Sequence, residues 1–167
     1  MPAVKLVDPA QSQELAELEQ KARKENHFFR GMAHRAEALR AFVPLYGAIM
    51  RPGSVERRVK ELAYLTASYA NECPYCTAAH IAAGRKAGIT DAELEALQTQ
   101  QDHTFSEVER AVIRYARELT QTAAAHESRP ALQEHFSDEQ IVELTLVVAM
   151  ANFTNRFNNG LGILPES

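Results

Sequence analysis

The sequence predicts an all-α protein folded as one domain of about seven helices, and three observations carry that reading. Apolar residues recur at intervals of three and four along most of the chain. Three segments carry the signature of a helix start in which side chain and backbone cap each other: Thr90 to Glu93, Ser106 to Glu109, and Ser137 to Gln140. Nothing alternates with period two for long enough to form a strand. At 167 residues the chain can bury one sizeable core without disulfide staples, and no Gly/Ser linker or internal repeat divides it.

The first predicted helix runs from about Pro9 to Lys24, with Leu15, Leu18 and Ala22 at helical spacing. A second covers about Met32 to Met50. Pro44 inside it removes a backbone hydrogen bond and is expected to kink or split it. Arg51-Pro52-Gly53 closes that segment, and Ser54 stands as N-cap of a third helix whose apolar residues are Val59, Leu62, Leu65 and Tyr69. Asn71-Glu72-Cys73-Pro74 reads as a turn into a fourth helix that ends near Gly88. Proline at the first helical position forfeits no bond, so Cys73 becomes the N-cap and Cys76 falls in the first turn. The three capping signatures then open helices at about 91–99, 107–124 and 138–157.

A formal net charge of −4 and the lack of a dense Lys/Arg block argue against nucleic acid as a partner. Arg57-Arg58 and Arg85-Lys86 read as solvated helix faces. The first twenty residues contain no apolar run of signal-peptide length. The longest apolar stretch, Leu144 to Ala151 broken by Thr145, is far short of a membrane span. The expectation is a cytoplasmic protein without membrane association. In a reducing compartment a Cys-x-x-Cys pair is a catalytic or metal-binding feature rather than a structural bridge.

The chemistry concentrates in one stretch. Cys73, Cys76 and His80 are three and four residues apart, which places them on one side of the fourth helix, and they include both cysteines of the chain. Partial positive charge at the helix start favours thiolate, and an imidazole on the same face can take or relay its proton. If the third and fourth helices form a hairpin about Asn71–Cys73, Glu61 and His80 come within about one turn of the same height. Glu61 can then orient the imidazole, while Glu72, at the turn, faces water.

The pattern of Glu61, then Cys73-Pro74-Tyr75-Cys76, then His80 resembles the core of the AhpD-like alkylhydroperoxidase family, within the carboxymuconolactone decarboxylase superfamily. The likeness runs from about Val59 to Glu95 and includes Asn71 and Ala82-Ala83-Gly84. Leu39 to Tyr46 and Asn152 to Arg156 are similar to the lead-in and final helices of peroxidase-related members. The resemblance implies one such domain over 1–167 with its redox core at about 54–97, an all-α fold, and a homo-oligomer, trimer or hexamer. It implies a hydroperoxide as substrate, no cofactor, and a lipoyl- or thioredoxin-like protein as the dithiol reductant. By position, Cys76 is the attacking cysteine, Cys73 the resolving one, and Glu61 and His80 the proton relay. Tyr75 stands where a well-known member has a histidine. Helix-end electrostatics alone favours Cys73 as the more activated thiol, so the order of attack rests on the resemblance.

Other readings stand beside this one. A metal site would use Cys73, Cys76 and His80, but structural zinc sites draw on two separated pairs and the chain has no second pair. A lactone decarboxylase of the same superfamily needs no cysteine pair, and a non-enzymatic redox sensor would need nothing more than one. His27, His34, His103, His126 and His135 read as surface or capping residues, and Ser68 as packing. Phe28, Phe29 and Tyr46 read as core or subunit contacts. Asn152, Asn155, Asn158 and Asn159 are unusual on a helix; a pocket, a neighbouring subunit, or end-capping would each account for them.

Overall fold

The computed structural model describes residues 2–166, and among these all regular structure is helical, with nine α-helices. The first predicted helix is shorter than its apolar period suggested. Pro9–Gln11 forms a 3-10 turn, Ser12 caps Leu15, and α1 is Gln13–Ala22, closed by Arg23 in the left-handed conformation. The second segment begins earlier than expected. Asn26 accepts from the Phe29 amide and opens α2 (His27–Met32) ahead of α3 (Ala36–Met50). Pro44 does not split α3; it sits on an exposed face, while Leu39, Phe42, Ile49 and Met50 on the other face are buried and hold the turns together.

Ser54 is not the cap of the next helix. α4 (Arg57–Ala70) starts three residues later, behind Glu56, with no side-chain cap. Ser54 instead donates through its amide (2.8 Å) and hydroxyl (2.6 Å) to Glu143. The remote partner wins: the hydroxyl is held as a donor to a carboxylate across the fold instead of turning its lone pair to a local amide N–H. Glu143 also pairs with Lys60, whose ammonium is buried and donates to the carbonyls of Ile49 (2.9 Å) and Arg51 (2.6 Å). One lysine thus satisfies the end of α3 and fixes the loop before α4.

α5 (Pro74–Lys86) follows the turn at Asn71–Cys73, where Glu72 takes φ 48°, and Cys73 is its N-cap with Pro74 at the first position. Gly84 allows α5 to lie close to α4. A Cβ there would stand 3.1 Å from Ile89 Cδ1 and 3.3 Å from Leu65 Cδ1. α6 (Asp91–Gln98), α7 (Glu107–Thr122) and α9 (Asp138–Leu161) each open with the reciprocal cap expected. Arg58 on α4 gathers the capping glutamates of two of them, reaching Glu93 (2.5 Å) and Glu109 (2.8 Å). α8 (Arg129–Gln133), a single short piece before α9, carried no signal in the sequence.

α9 runs past residue 157 because Asn158 is buried and the Asn159 side chain donates to the Asn71 carbonyl at 2.7 Å. Gly162, in the left-handed region, then ends it. α4 lies at the centre, packed on α5, α7 and α9, with α3 laid against α9. The main core lies among α1–α5 and α7–α9; a smaller one joins Leu62 and Leu65 of α4 to Leu94, Leu97 and Ile113. No described helix is long and apolar enough to cross a membrane.

Candidate active site

α5 delivers both sulfurs and the imidazole because of how it begins. As N-cap, Cys73 accepts the Cys76 amide on its own sulfur at 3.4 Å, which turns the two sulfur atoms toward each other one turn apart. Both cysteines are free thiols and both are buried. α9 lies across them. Asn158 donates through Nδ2 to Cys76 Sγ at 3.2 Å, and Thr154 Oγ1 stands 3.9 Å from the same sulfur. Asn155, fully buried, donates to Ser68 Oγ (3.1 Å) and accepts from Asn71 Nδ2 (2.9 Å). The turn holding Cys73 is thereby tied to the helix that covers it.

This arrangement separates the two thiols. Cys76 is pulled down from its usual 9.0 to about 6: the hydrogen bond from the Cys73 thiol is the chief cause, burial opposes it, and the Asn155, Asn158 and Thr154 side chains assist. Cys73 is pushed up, first because it donates that bond and then by burial. The two thiols are thus driven apart, Cys76 toward the thiolate and Cys73 toward the protonated form. The N-cap position favours Cys73 by helix-end charge alone, yet the donors converge on its neighbour.

His80 lies two turns along α5 from Cys73, on the α4 side. Its Nδ1 is 2.7 Å from Glu61 Oε2, and Nε2 is 3.2 Å from the Tyr46 hydroxyl. The ring stacks on Tyr64 with centroids 3.5 Å apart and planes 13° from parallel. Glu61 is wholly buried, with the Arg57 guanidinium 2.5 Å from its other oxygen. A carboxylate at Nδ1 selects the tautomer that carries the proton there, so Nε2 presents a lone pair to Tyr46. Glu72 is exposed at the turn. Cys76 and His80 line the same cavity, but among the described residues no hydrogen bond joins them directly; Tyr46 meets the imidazole instead.

That cavity, about 330 Å³, is walled by Phe28, Phe29, Phe42, Tyr46, Tyr64 and Tyr75, with Cys76, His80, Thr154 and Asn158 among its polar groups and Lys24, Asn26 and Glu166 also lining it. Phe28, Phe29 and Tyr46, read from the sequence as core or subunit contacts, do pack in or against the main core, and their other faces also wall the cavity. Tyr75 turns away from His80, its hydroxyl 2.9 Å from Glu166 and 3.2 Å from Asn26. Burial pushes the phenols of Tyr46, Tyr64 and Tyr75 up, which keeps them neutral and able to donate. No group of three or more His, Cys, Asp or Glu among the described residues is arranged to hold a metal ion.

Residues 36–118, which span α3 to α7 and include Glu61, both cysteines and His80, match the carboxymuconolactone decarboxylase family. The chain belongs to that family. Among its relatives, the uncharacterized protein YdfG of Bacillus subtilis (strain 168) is 27% identical over 116 residues, covering 67% of this chain and 79% of that one. A peroxidase-related protein of Ralstonia eutropha JMP134, with an alkylhydroperoxidase AhpD core, superposes with a TM-score of 0.82 at 25% identity, over 100% of this chain and 92% of its own. The debrominase Bmp8 shares the fold: TM-score 0.82, 20% identity, 97% of this chain and 91% of the other. The family takes its name from an enzyme, carboxymuconolactone decarboxylase.

The family match stops before α9, and α9 supplies the groups that sequence reasoning left open. Thr154 and Asn158 are four residues apart and Asn155 sits beside them, all on the buried face of the helix. Polar side chains on that face were the signal in the sequence. Tyr64 carried none, since an aromatic on the buried face of α4 reads as core.

Proposed function

We propose that the protein is a thiol peroxidase that reduces a hydroperoxide at Cys76 and is regenerated by a dithiol. The observation that carries this is the geometry of the pair: two free, buried cysteines one helical turn apart, with the Asn158 amide 3.2 Å from Cys76 Sγ and the Glu61–His80 pair on the same cavity. In the reaction, the Cys76 thiolate attacks the hydroxyl-bearing oxygen of ROOH. An S–O bond forms, the O–O bond breaks, sulfur becomes sulfenic acid, and RO⁻ leaves. Tyr46, positioned by the Nε2 lone pair of His80, gives the leaving oxygen its proton and takes one back from solvent; Glu61 orients the imidazole. Cys73 then displaces the sulfenic hydroxyl, releasing water and closing the Cys73–Cys76 disulfide. A lipoyl- or thioredoxin-like dithiol reduces the disulfide by exchange.

Neither an added cofactor nor a metal enters these steps. The homo-oligomer, trimer or hexamer, belongs to the same proposal; exposed Leu45, Val142, Leu146 and Phe153 on α3 and α9 are apolar surface that such an assembly would cover.

The test is stopped-flow mixing of the reduced protein with cumene hydroperoxide, thiol titration, and mass spectrometry of the product. The expected result is loss of two thiols per peroxide consumed, with Cys76→Ser inert. A Cys76→Ser variant that still consumes peroxide would refute the assignment. Bmp8 has been solved with 2,3,4-tribromopyrrole, which therefore serves as the control electrophile. Bromide release without peroxide consumption would replace peroxide reduction by dehalogenation.

A further inference from the structure

Asn158 carries an unexplained atom. Its side chain is 1% exposed, yet Oδ1 has no hydrogen-bond partner among the described residues, although the residue lines the cavity that holds Cys76. Buried carbonyl oxygens are almost always paired, so an orphan one against a reactive sulfur calls for a reason. Reversing the carboxamide does not supply one. It would aim Oδ1 at a sulfur that, as thiolate, has no proton to give, and would remove the Nδ2 donor now 3.2 Å from it.

Nδ2 and Oδ1 are bonded to one carbon, so a group that touches Cys76 Sγ through the first presents the second beside the same sulfur. A hydroperoxide reacting there has one proton of its own, on the oxygen under attack, and that proton needs an acceptor. Thr154 is already occupied: besides Cys76 Sγ, its hydroxyl meets Tyr64 and the carbonyls of Met150 and Ala151. His80 is committed to Glu61 and Tyr46.

We infer that Asn158 is a catalytic residue that holds the Cys76 thiolate through Nδ2 and the hydroxyl of the incoming peroxide through Oδ1. The inference rests on the peroxidase reading and adds to it the group that orients the substrate. With the O–H pointed at Oδ1, its oxygen is set against sulfur and the O–R bond is directed into the aromatic cavity toward Tyr46. As the S–O bond forms and the O–O bond breaks, the proton stays on the attacked oxygen and becomes the sulfenic hydroxyl, still held by Oδ1. The electron pair of the broken bond leaves with RO⁻, which takes its proton from Tyr46.

The experiment compares two electrophiles at Cys76. Methyl methanethiolsulfonate modifies a thiolate and has no proton to donate, so it reads the thiolate alone; cumene hydroperoxide reads thiolate and orientation together. Both are measured on reduced wild type and Asn158→Ala at pH 9, where Cys76 is ionised in each. The expected result is modification by the thiolsulfonate no slower than wild type and a peroxide reaction slowed about ten-fold. Asn158→Asp, which keeps the acceptor and loses the donor, should keep a wild-type ratio of the two rates while both fall at neutral pH. That variant also decides the matter if Asn158→Ala fails to fold. Equal slowing of both reagents in Asn158→Ala, or an unchanged peroxide rate, would overturn the role. A wild-type thiolate that takes the thiolsulfonate but ignores peroxide would overturn the peroxidase reading, and the role with it.

Discussion

Replacing Cys73 by alanine removes the strongest single influence on the Cys76 thiolate. The hydrogen bond from the Cys73 thiol is the chief cause of the low Cys76 value of about 6. A hydrogen bond to a charged group is worth ~1.5–3 kcal/mol, or roughly one to two pKa units. Cys73→Ala should therefore move the Cys76 midpoint to about 7–8, with Asn155, Asn158 and Thr154 still holding it below the usual thiol range. At pH 7 the thiolate fraction would fall from ~0.9 to somewhere between ~0.5 and ~0.1, a two- to ten-fold loss of reactivity that vanishes near pH 9. The assay is the rate of modification by methyl methanethiolsulfonate from pH 5 to 10, with mass spectrometry to place the adduct on Cys76. The midpoint is the diagnostic quantity, because a thiolate of higher pKa is intrinsically more nucleophilic and raises the plateau. The same variant has lost its resolving thiol, so peroxide should leave a sulfenic acid on Cys76 that dimedone traps. A midpoint for Cys73→Ala at or below that of wild type would refute the reasoning.

Tyr46→Phe removes the hydroxyl 3.2 Å from His80 Nε2 and should slow the peroxide reaction ~100-fold while leaving modification by the thiolsulfonate unchanged, as stopped-flow rates would show. Lys60→Met strands the carbonyls of Ile49 and Arg51 and the Glu143 carboxylate, which keeps Ser54 as a donor, and should cost ~3 kcal/mol in urea unfolding. Adding Glu143→Leu should recover part of that loss. Between pH 6 and 9 unfolded Cys76 retains a proton that the folded protein has lost. Its contribution is thus complete above pH 9 and is lost as pH falls toward 6. The stability of wild type over Cys76→Ser should grow by up to ~1.4 kcal/mol per pH unit across that window, measured by urea midpoints.

Local signals in the chain were reliable where the determinants are local. The capping pairs at Thr90, Ser106 and Ser137 act over three residues, and each opens a helix where expected. Cys73-Pro74 fixed the start of α5 for the same reason. Ser54 misled because its partner, Glu143, is remote in sequence, and α2 and α8 were missed because short helices offer too few residues to show a period. The same division runs through the site. Glu61 and His80 could be placed together by counting along a two-helix hairpin, and they lie 2.7 Å apart. Tyr46 and Asn158 reach the site from α3 and α9, whose crossings with α5 no spacing rule encodes, so their polar atoms looked like packing or end-capping.

The contacts made to Cys76 have a common character that explains why the thiolate can sit in an aromatic cavity. Burial alone raises a thiol, and the usual remedy is a nearby cation. Here the groups that lower Cys76 are neutral: a thiol, two carboxamides and a hydroxyl. The cations Arg57 and Lys60 are engaged elsewhere, on Glu61 and Glu143. Neutral donors stabilise a charge without bringing a counter-charge that must itself be solvated, so the cavity can stay apolar around the sulfur. They also let the charge go easily. In the proposed cycle, once Cys76 becomes sulfenic acid and then disulfide, none of the groups holding it is a cation left without its partner, and the same amides and hydroxyl face a neutral sulfur. Under the proposed peroxidase reading, a pair that alternates between charged and neutral states is better served by dipoles than by a fixed ion, because the dipoles leave no buried charge behind when the thiolate is gone.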